Sequence, residues 1–386
     1  MARRKISIER LTGKDIEELS KKRNGGEVFF SLYVGVKPGR NFVAEANSVI
    51  SEEVQRIEKN GVYPANIVKK IQKISKKMKD EIKLLRIPGE TRTIVMFCGA
   101  DRFGKFYHVP SYIPSKFVIE SDFHIHPLVE AVESHPKYLV LVLERDKARF
   151  FDFFLGQIEK ISEMISSEVP QRIKSARGLM ESNVQSHIED HENQHLKKVC
   201  METENYFRFG KNGHSYLIIG AHREVAEKYS KMLGERSKNK FIGSYPITPN
   251  YKIEEIKRKS QKVVEEHERS SEEKLIEGIL NGAGKKKNSA VLSLESVLEN
   301  YHLHNVETFV IGSNYRTAGY VCPKCHYISS YRKICPKNNI GMEQVDDLAD
   351  EIIEEAVANK IKIKLLLYPN EKFDKFGIGA VLKSSK

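Results

Sequence analysis

The sequence predicts an α/β protein made of three consecutive α/β domains, and three observations carry that prediction. The chain has 386 residues, which is too long for one ordinary hydrophobic core and suits two or three domains of about 100 to 150 residues. Apolar, β-rich runs alternate with helical patterns along the chain. The order of these strands, helices and connecting segments predicts domains at residues 1–134, 135–275 and 276–386.

The first domain is predicted to start with a central strand followed by a helical hairpin. The run from Glu27 to Val36 is apolar and β-rich, and a Lys-Pro-Gly-Arg turn signal follows it. Helical periodicity covers residues 42–59 and 66–86, with a Gly and a Pro between them. Strands at 93–99 and 104–109 and a helix over 122–132 complete the domain.

The second and third domains also alternate strands and helices. Two strands around a short turn lie in residues 138–154, and a long polar helical region leads to a strand at 215–220. A charged helix then connects to the third domain. There we expect, in order, helix 294–301, strand 306–312, a Cys-containing ribbon-like insert at about 316–342, helix 345–359 and strand 361–367. This order predicts a small αβα sandwich.

Composition narrows the class of partner. The chain carries 64 Lys and Arg against 52 Asp and Glu, a formal net charge of +12, which favours a polyanion such as RNA. The N-terminus has no apolar signal region and no window approaches a membrane span, so we expect a cytoplasmic protein with no membrane partner. Five cysteines, three of them between Cys322 and Cys335, fit a reducing compartment and one metal site.

The predicted hairpin is the densest basic segment of the chain. Ten Lys or Arg residues and only three acids lie between Arg56 and Arg86. Apolar residues recur every three or four positions, so one helix face packs while the lysines project from the other. Such a face suits RNA phosphates, although a solvated lysine-rich helix would look the same. The candidate RNA-binding lysines are Lys69, Lys70, Lys73, Lys76, Lys77 and Lys79.

Several segments occur in the order of the landmarks of one translation-factor family. They begin at Ser31 (Ser-Leu-Tyr-Val), Ile94 (Ile-Val-Met-Phe-Cys-Gly-Ala), Asp122 (Asp-Phe-His-Ile-His-Pro), Lys137 (Lys-Tyr-Leu-Val-Leu-Val) and Phe376 (Phe-Gly-Ile-Gly-Ala). The chain therefore resembles the archaeo-eukaryotic peptide chain release factor and Pelota superfamily over nearly its whole length. The resemblance implies a decoding-site-like N-terminal domain, an RNase H-like middle domain and an αβα C-terminal domain.

The family's decoding motif is altered in this chain. Its Asn-Ile-Lys-Ser tetrapeptide corresponds best to Asn66-Ile-Val-Lys, where the lysine is displaced by one position. The Tyr-x-Cys-x-x-x-Phe element is absent before His124. The resemblance thus implies contact with decoding-site RNA rather than stop-codon reading, and it adds Asn66 to the RNA-binding candidates.

The family's hydrolytic Gly-Gly-Gln is also missing. The corresponding loop has one glycine, Gly178, with no glutamine beside it, so the resemblance is to a branch that lacks this tripeptide. Without two flexible glycines to bring the backbone to the ester, we predict no efficient hydrolysis. Arg172, Lys174 and Arg177, with Gly178, are candidate contacts to RNA of the peptidyl transferase region.

The resemblance also implies partners. We expect binding to ribosomal RNA of the decoding and peptidyl transferase regions, delivery by a translational GTPase of the elongation factor Tu type, and a monomer off the ribosome. The preferred function is occupation of the ribosomal A site in hibernation or rescue without peptidyl-tRNA hydrolysis. The alternative is an active release factor in which Gln185, or a histidine of residues 187–195, replaces the missing glutamine.

Two motifs suggest metal ligation. Cys322-Pro-Lys-Cys325 and Cys335-Pro-Lys-Asn338 resemble the two knuckles of a zinc ribbon, with Asn338 in place of the fourth cysteine. Two interpretations are open. In the first, Cys322, Cys325 and Cys335 bind a structural zinc, with His326 as a geometrically awkward fourth ligand. In the second, the ribbon no longer binds metal.

The second motif is His-Glu-x-x-His. Residues His191, Glu192 and His195 have this spacing, which on a helix builds the active site of zinc metalloproteases. Charged residues flank the motif and no apolar helix is available to bury it, so a solvated helix is the favoured interpretation and a protease the remote alternative.

Overall fold

The computed structural model describes residues 8–22, 28–37, 39–61, 63–99, 104–120, 122–144, 146–166, 179–209, 214–248, 250–283, 289–312 and 314–383, with backbone only at 13, 159, 162–166, 179–188 and 209. The fold is α/β, as predicted. Two compact units are present: one combines Met1–Ser134 with Glu272–Lys386, and the other spans His135–Ser271. The three-domain division stays a prediction. No helix in the described ranges has the length and apolar character that crossing a membrane requires.

The N-terminal part of the first unit is a five-stranded sheet with helices. Its elements are β1 (Ile8–Arg10), α1 (Gly13–Ser20), β2 (Phe29–Gly35), α2 (Phe42–Asn60), α3 (Ala65–Ile82), β3 (Thr93–Cys98), β4 (Lys105–Val109), β5 (Lys116–Glu120) and α4 (His126–Ser134). The strand order is β1-β4-β3-β2-β5, and only the β1–β4 pair is parallel. All seven residues of β2 are buried, because it is a central strand covered on both faces.

Local signals explain the helical hairpin. Asn41 begins α2 by accepting hydrogen bonds from the N–H groups of Val43 and Ala44 at 3.0 and 3.4 Å. Gly61 ends the helix in the left-handed region with φ 61°, which glycine adopts without strain. The second helix was predicted to reach residue 86 but stops at Ile82. Leu85 is still buried in the segment that follows, so apolar spacing continued past the helix end.

The second unit is a three-layer arrangement around a mixed sheet. Its elements are β6 (Tyr138–Leu143), β7 (Lys147–Phe154), β8 (Gln157–Ser166), α5 (Leu179–Phe209), β9 (Tyr216–Ala221), α6 (Arg223–Met232), α7 (Glu235–Lys240), β10 (Phe241–Tyr245) and most of α8 (Ile253–Gly282). The order is β10-β9-β6-β7-β8, with β6, β9 and β10 parallel. Side chains of β6 alternate between a core with α5 and α6 and a core with α8.

The C-terminal part of the first unit contains a four-stranded sheet and a small ribbon. Its elements are β11 (Ala290–Leu292), α9 (Leu294–His302), β12 (Val306–Gly312), β13 (Gly319–Val321), β14 (Ile328–Ser329), β15 (Glu343–Val345), α10 (Leu348–Ala358), β16 (Lys362–Leu366), α11 (Glu371–Asp374) and β17 (Ile378–Leu382). The sheet order is β11-β17-β12-β16, and the ribbon is β14-β13-β15. The ribbon falls within the predicted Cys-containing insert and its C-terminal edge.

Candidate nucleic-acid interface and cysteine cluster

The α3 helix has a buried face and an opposite basic face. Its buried residues, Ile71, Ile74, Met78 and Ile82, belong to the core shared with β2 and β3. Lys69, Lys73 and Lys76 are exposed and follow one another at spacings of four and three, so they form a single stripe. At 3.6 residues per turn this stripe lies on the side of the helix opposite the core. These three residues are called the α3 lysine stripe below.

Other charged residues of the hairpin already have partners. Lys79 Nζ lies 2.6 Å from Ser51 Oγ, Lys83 Nζ lies 3.0 Å from an Asp80 carboxylate oxygen, and the Arg56 guanidinium makes two hydrogen bonds to Glu53. By contrast, no carboxylate within the described ranges pairs with a member of the α3 lysine stripe. The stripe therefore presents positive charge that internal acids do not neutralise.

The remaining predicted RNA contacts divide into two groups. Asn66 and Lys77 are exposed on α3, while Lys70 and Lys79 are partly buried. Lys77 and Lys70 also take part in further interactions. The second group consists of Arg172, Lys174, Arg177 and Gly178, which lie outside the described residues. Gln185 and His187 fall in the stretch of α5 where only the backbone is described.

The insert contains two turns of matching geometry. In the first, the His326 N–H donates to Cys322 O at 2.9 Å, and His326 has φ 52°. In the second, the Asn339 N–H donates to Cys335 O at 2.8 Å, and Asn339 has φ 53°. A left-handed residue just after each Cys-Pro-Lys-x run points both turns inward, in the manner of a pair of zinc knuckles.

These turns bring the three thiols together. Their sulfur atoms lie within 4.8 Å of one another, and Cys325 Sγ is 3.5 Å from Cys335 Sγ. Tetrahedral Zn–S bonds of about 2.3 Å separate two thiolates by about 3.8 Å, so three corners fit zinc. Asn338 lies beside the thiols, and its Nδ2 donates toward Cys322 Sγ at 3.6 Å, whereas His326 does not join the group of possible ligands among the described residues. The donor set thus fits a zinc ion with three thiolates and a fourth ligand that is not sulfur.

The electrostatics of the cluster favour a thiolate. Burial opposes ionisation of Cys322, but the backbone N–H groups of Cys325 and Lys324 lower the pKa of that thiol to about 7. Burial and the neighbouring thiols raise the pKa of Cys325 to about 11. One thiolate is therefore available near neutral pH before any metal binds, and a metal would have to displace the other protons.

The His-Glu-x-x-His segment lies on α5, and among the described side chains it gathers no metal site. Glu192 is 3.6 Å from Lys228 Nζ, and His195 is buried, with 1% of its surface exposed. Burial lowers the pKa of His195, which keeps it neutral. Within the described residues, neither His191 nor His195 joins a group of three potential ligands. Nothing in this geometry supports the remote protease alternative.

One polar cluster was not predicted from the sequence. Asp350 on α10 contacts two histidines that flank the start of α4: His126 Nδ1 hydrogen-bonds to its Oδ1, and His124 Nδ1 lies 3.6 Å from its Oδ2. Lys116 Nζ is 3.2 Å from His124 Nε2, so the lysine donates to that nitrogen and the proton of a neutral ring sits on Nδ1. Burial lowers the pKa of His124 to about 4. His124 is therefore uncharged at neutral pH.

The middle of the chain matches the model of one known protein family. Residues 124–251 match the model described as Bacterial archaeo-eukaryotic release factor family 10. That range covers α4 and the second unit as far as the approach to α8. Over these residues, the match supports the superfamily expected from the sequence landmarks. No curated protein matches the chain.

Solved structures of similar proteins align over nearly the whole chain. The archaeal translation termination factor aRF1 is 16% identical, with 97% of this chain and 99% of that chain covered and a TM-score of 0.27. Dom34 of S. cerevisiae, a translation termination-like factor that interacts with Hbs1, is 10% identical (98% and 94% covered, TM-score 0.42). A ribosome-bound archaeal Pelota is 13% identical (98% and 95% covered, TM-score 0.41). At TM-scores below 0.5, the family assignment depends on the match over residues 124–251.

Proposed function

We propose that this chain, whose residues 124–251 match bacterial archaeo-eukaryotic release factor family 10, is a ribosome-associated factor of the release factor and Pelota type that binds ribosomal RNA through the N-terminal part of its first unit. The α3 lysine stripe is the observation that carries the proposal. It is exposed, it lies opposite the packed face of α3, and within the described ranges no acid neutralises it.

The packing of α3 makes the stripe suitable for a phosphate backbone. Consecutive members are separated by about one helical turn, or roughly 5 Å along the axis, which is close to the spacing of successive phosphates on a strand. Three lysines on one rigid helix contribute affinity for RNA phosphates, and this affinity does not depend on the base sequence. This suits a factor that binds a site on the ribosome rather than a particular message.

We further propose that the chain occupies the A site without hydrolysing peptidyl-tRNA. The support is chemical: the loop that would carry Gly-Gly-Gln has only Gly178 and no adjacent glutamine. Hibernation and rescue are both compatible with such occupancy. The ribosomal partners would be RNA of the decoding region, RNA of the peptidyl transferase region through Arg172, Lys174 and Arg177, and a delivering GTPase of the elongation factor Tu type.

A structural zinc in the insert is also part of the proposal. Cys322, Cys325 and Cys335 would hold the ion, and the fourth position would be taken by Asn338 or a water molecule. The ion would lock the two turns together and so fix the small β14-β13-β15 ribbon.

Cosedimentation with ribosomes tests the RNA contact. Reversing the stripe by Lys69→Glu, Lys73→Glu and Lys76→Glu should weaken binding by at least about tenfold near 100 mM salt and reduce the log–log salt slope by about 2 to 3. The matched control reverses three exposed lysines elsewhere, Lys231, Lys238 and Lys262, with the same change in net charge. Equal weakening in both triple variants, or binding that does not respond to salt, would refute the proposed interface.

A further inference from the structure

The segment between the two cysteine turns exposes a large aromatic ring. Tyr331 retains 65% of its accessible surface and the nearby Ile334 retains 60%. Both lie between β14 and the second turn, near the middle of the insert that runs from β13 to β15. Large apolar side chains displayed on one small platform commonly mark a binding surface.

The backbone beneath Tyr331 is held in place. The buried Ser329 Oγ accepts hydrogen bonds from the N–H groups of Tyr331 and Arg332 at 3.3 and 2.9 Å. Ile334 forms a β-bridge with Gly341, which closes the second turn behind this segment. A ring on a fixed backbone loses little entropy when it binds, so its surface is available at low cost.

The charged residues of the insert between positions 316 and 342 are all basic, and one of them, Arg316, pairs with Asp347 beyond that range at 3.8 Å. Between residues 316 and 342 there is no Asp or Glu, while the basic residues are Arg316, Lys324, Arg332, Lys333 and Lys337. Three of these cations lie over tyrosine rings: Arg332 over Tyr331 at 5.3 Å, Lys333 over Tyr320 at 6.0 Å and Lys337 over Tyr327 at 5.8 Å. The surface therefore interleaves aromatic rings with cations.

We infer that Tyr331 and Arg332 form a second RNA contact, in which Tyr331 stacks on an unpaired base and the surrounding cations bind the flanking phosphates. Unpaired RNA bases are recognised by stacking on aromatic rings and on arginine, whereas a duplex hides its base faces. An acidic protein segment would satisfy the cations but leave the exposed face of the Tyr331 ring, on the side away from Arg332, without a partner. The inference takes RNA as partner class from the proposed function but uses a different surface.

Binding of the full chain to a fluorescent oligouridylate tests the inference. Tyr331→Ala should weaken binding by about tenfold, whereas Tyr331→Phe keeps the ring and should stay within about twofold of the wild type. The matched control is Tyr112→Ala, at another tyrosine that is 47% exposed, and it should change nothing. The same ratios of variant to parent affinity are expected when the parent chain carries the three Lys→Glu substitutions of the α3 lysine stripe.

The possible outcomes separate the two surfaces. If Tyr331→Ala binds the oligouridylate as well as wild type, or if an RNA duplex or polyglutamate competes as well as the single strand, the stacking contact is wrong. If Tyr331 behaves as expected but reversal of the α3 lysine stripe leaves ribosome cosedimentation unchanged, the proposed function fails while this inference stands.

Discussion

His126 donates a hydrogen bond from Nδ1 to Oδ1 of Asp350, although 224 positions separate the two residues in the sequence. The first unit thus joins a helix start near its N-terminal sheet to α10 of its C-terminal part. A second ion pair, between Lys360 Nζ and Glu17 at 3.1 Å, links the end of the α10 region to α1. The contact with Asp350 is the more buried of the two, because the Asp350 side chain is 23% exposed whereas that of Glu17 is 36% exposed.

We predict that Asp350→Asn destabilises the protein. Burial opposes the charge of Asp350, but the hydrogen bond from His126 and the nearby His124, His126 and Lys116 hold the pKa of Asp350 below its usual range. An amide loses the charge-assisted bond, so the free energy of unfolding should fall by about 1 to 3 kcal/mol. Urea unfolding measures this, with exposed Asp346→Asn as the matched control. Indistinguishable midpoints for the two variants would contradict the prediction.

A second prediction concerns acid. His124 has a folded pKa of about 4 because burial disfavours the imidazolium, below its unfolded value of about 6.5. Between these values the unfolded chain binds more protons, so stability must fall as pH drops from about 6.5 to 4. Asp350, with its depressed pKa, adds to the loss at still lower pH.

The His124 contribution is roughly 2 to 4 kcal/mol across that window. Thermal unfolding between pH 7.5 and 4.5 should therefore be less pH-dependent in His124→Gln than in the wild type. The exposed His222 provides the control variant His222→Gln. If the melting temperature of His124→Gln depends on pH as strongly as that of the wild type, His124 does not cause the loss of stability in acid.

The third prediction concerns zinc. Purified protein should contain one zinc per chain, Cys335→Ser should remove it, and a chelator should lower the melting temperature of the wild type. Asn338→Cys completes a four-thiolate set and should slow the loss of zinc to chelator by at least about tenfold. Cys200→Ser, outside the insert, is the control and should retain the metal. Metal-free wild-type protein with an unchanged melting temperature would exclude the proposed site.

The fourth prediction concerns hydrolysis. Ribosomal complexes carrying labelled peptidyl-tRNA should release no peptide above background when this protein is added, whereas a release factor with Gly-Gly-Gln serves as positive control. Gln185→Ala should leave that background unchanged. Rapid release that disappears in Gln185→Ala would establish the alternative, an active release factor with a non-standard loop.

Local periodicity made the helical hairpin and its basic face predictable. The apolar residues of α3 repeat at helical spacing, and the lysines between them must then face away from the core. The same reasoning predicted a helix end beyond Ile82, because Leu85 is buried like the helical apolar residues although it lies outside the helix. Helix α10 was expected from residue 345 but begins at Leu348, since Asp347 accepts the Ala349 N–H as a helix cap and Val345 pairs with Gly319 as part of β15.

Short elements and distant partners were not predictable. Strand β1, with three residues, is too short to develop a period, and β5 (Lys116–Glu120) was also not predicted. Of the candidate site, the cysteine cluster was expected from its spacing. The contact of His124 and His126 with Asp350 has no sequence signal, because nothing local to either segment identifies the other.

The sequence by itself determined the α/β class, the basic helix and the cysteine turns, and its landmarks predicted the superfamily, because each depends on residues close together along the chain or on their order. Only the tertiary structure decided which lysines of α3 form no ion pair with a described acid, that Tyr331 is exposed beside its cations, and that Asp350 hydrogen-bonds with His126. These relationships depend on packing between segments far apart in sequence, which local patterns do not encode.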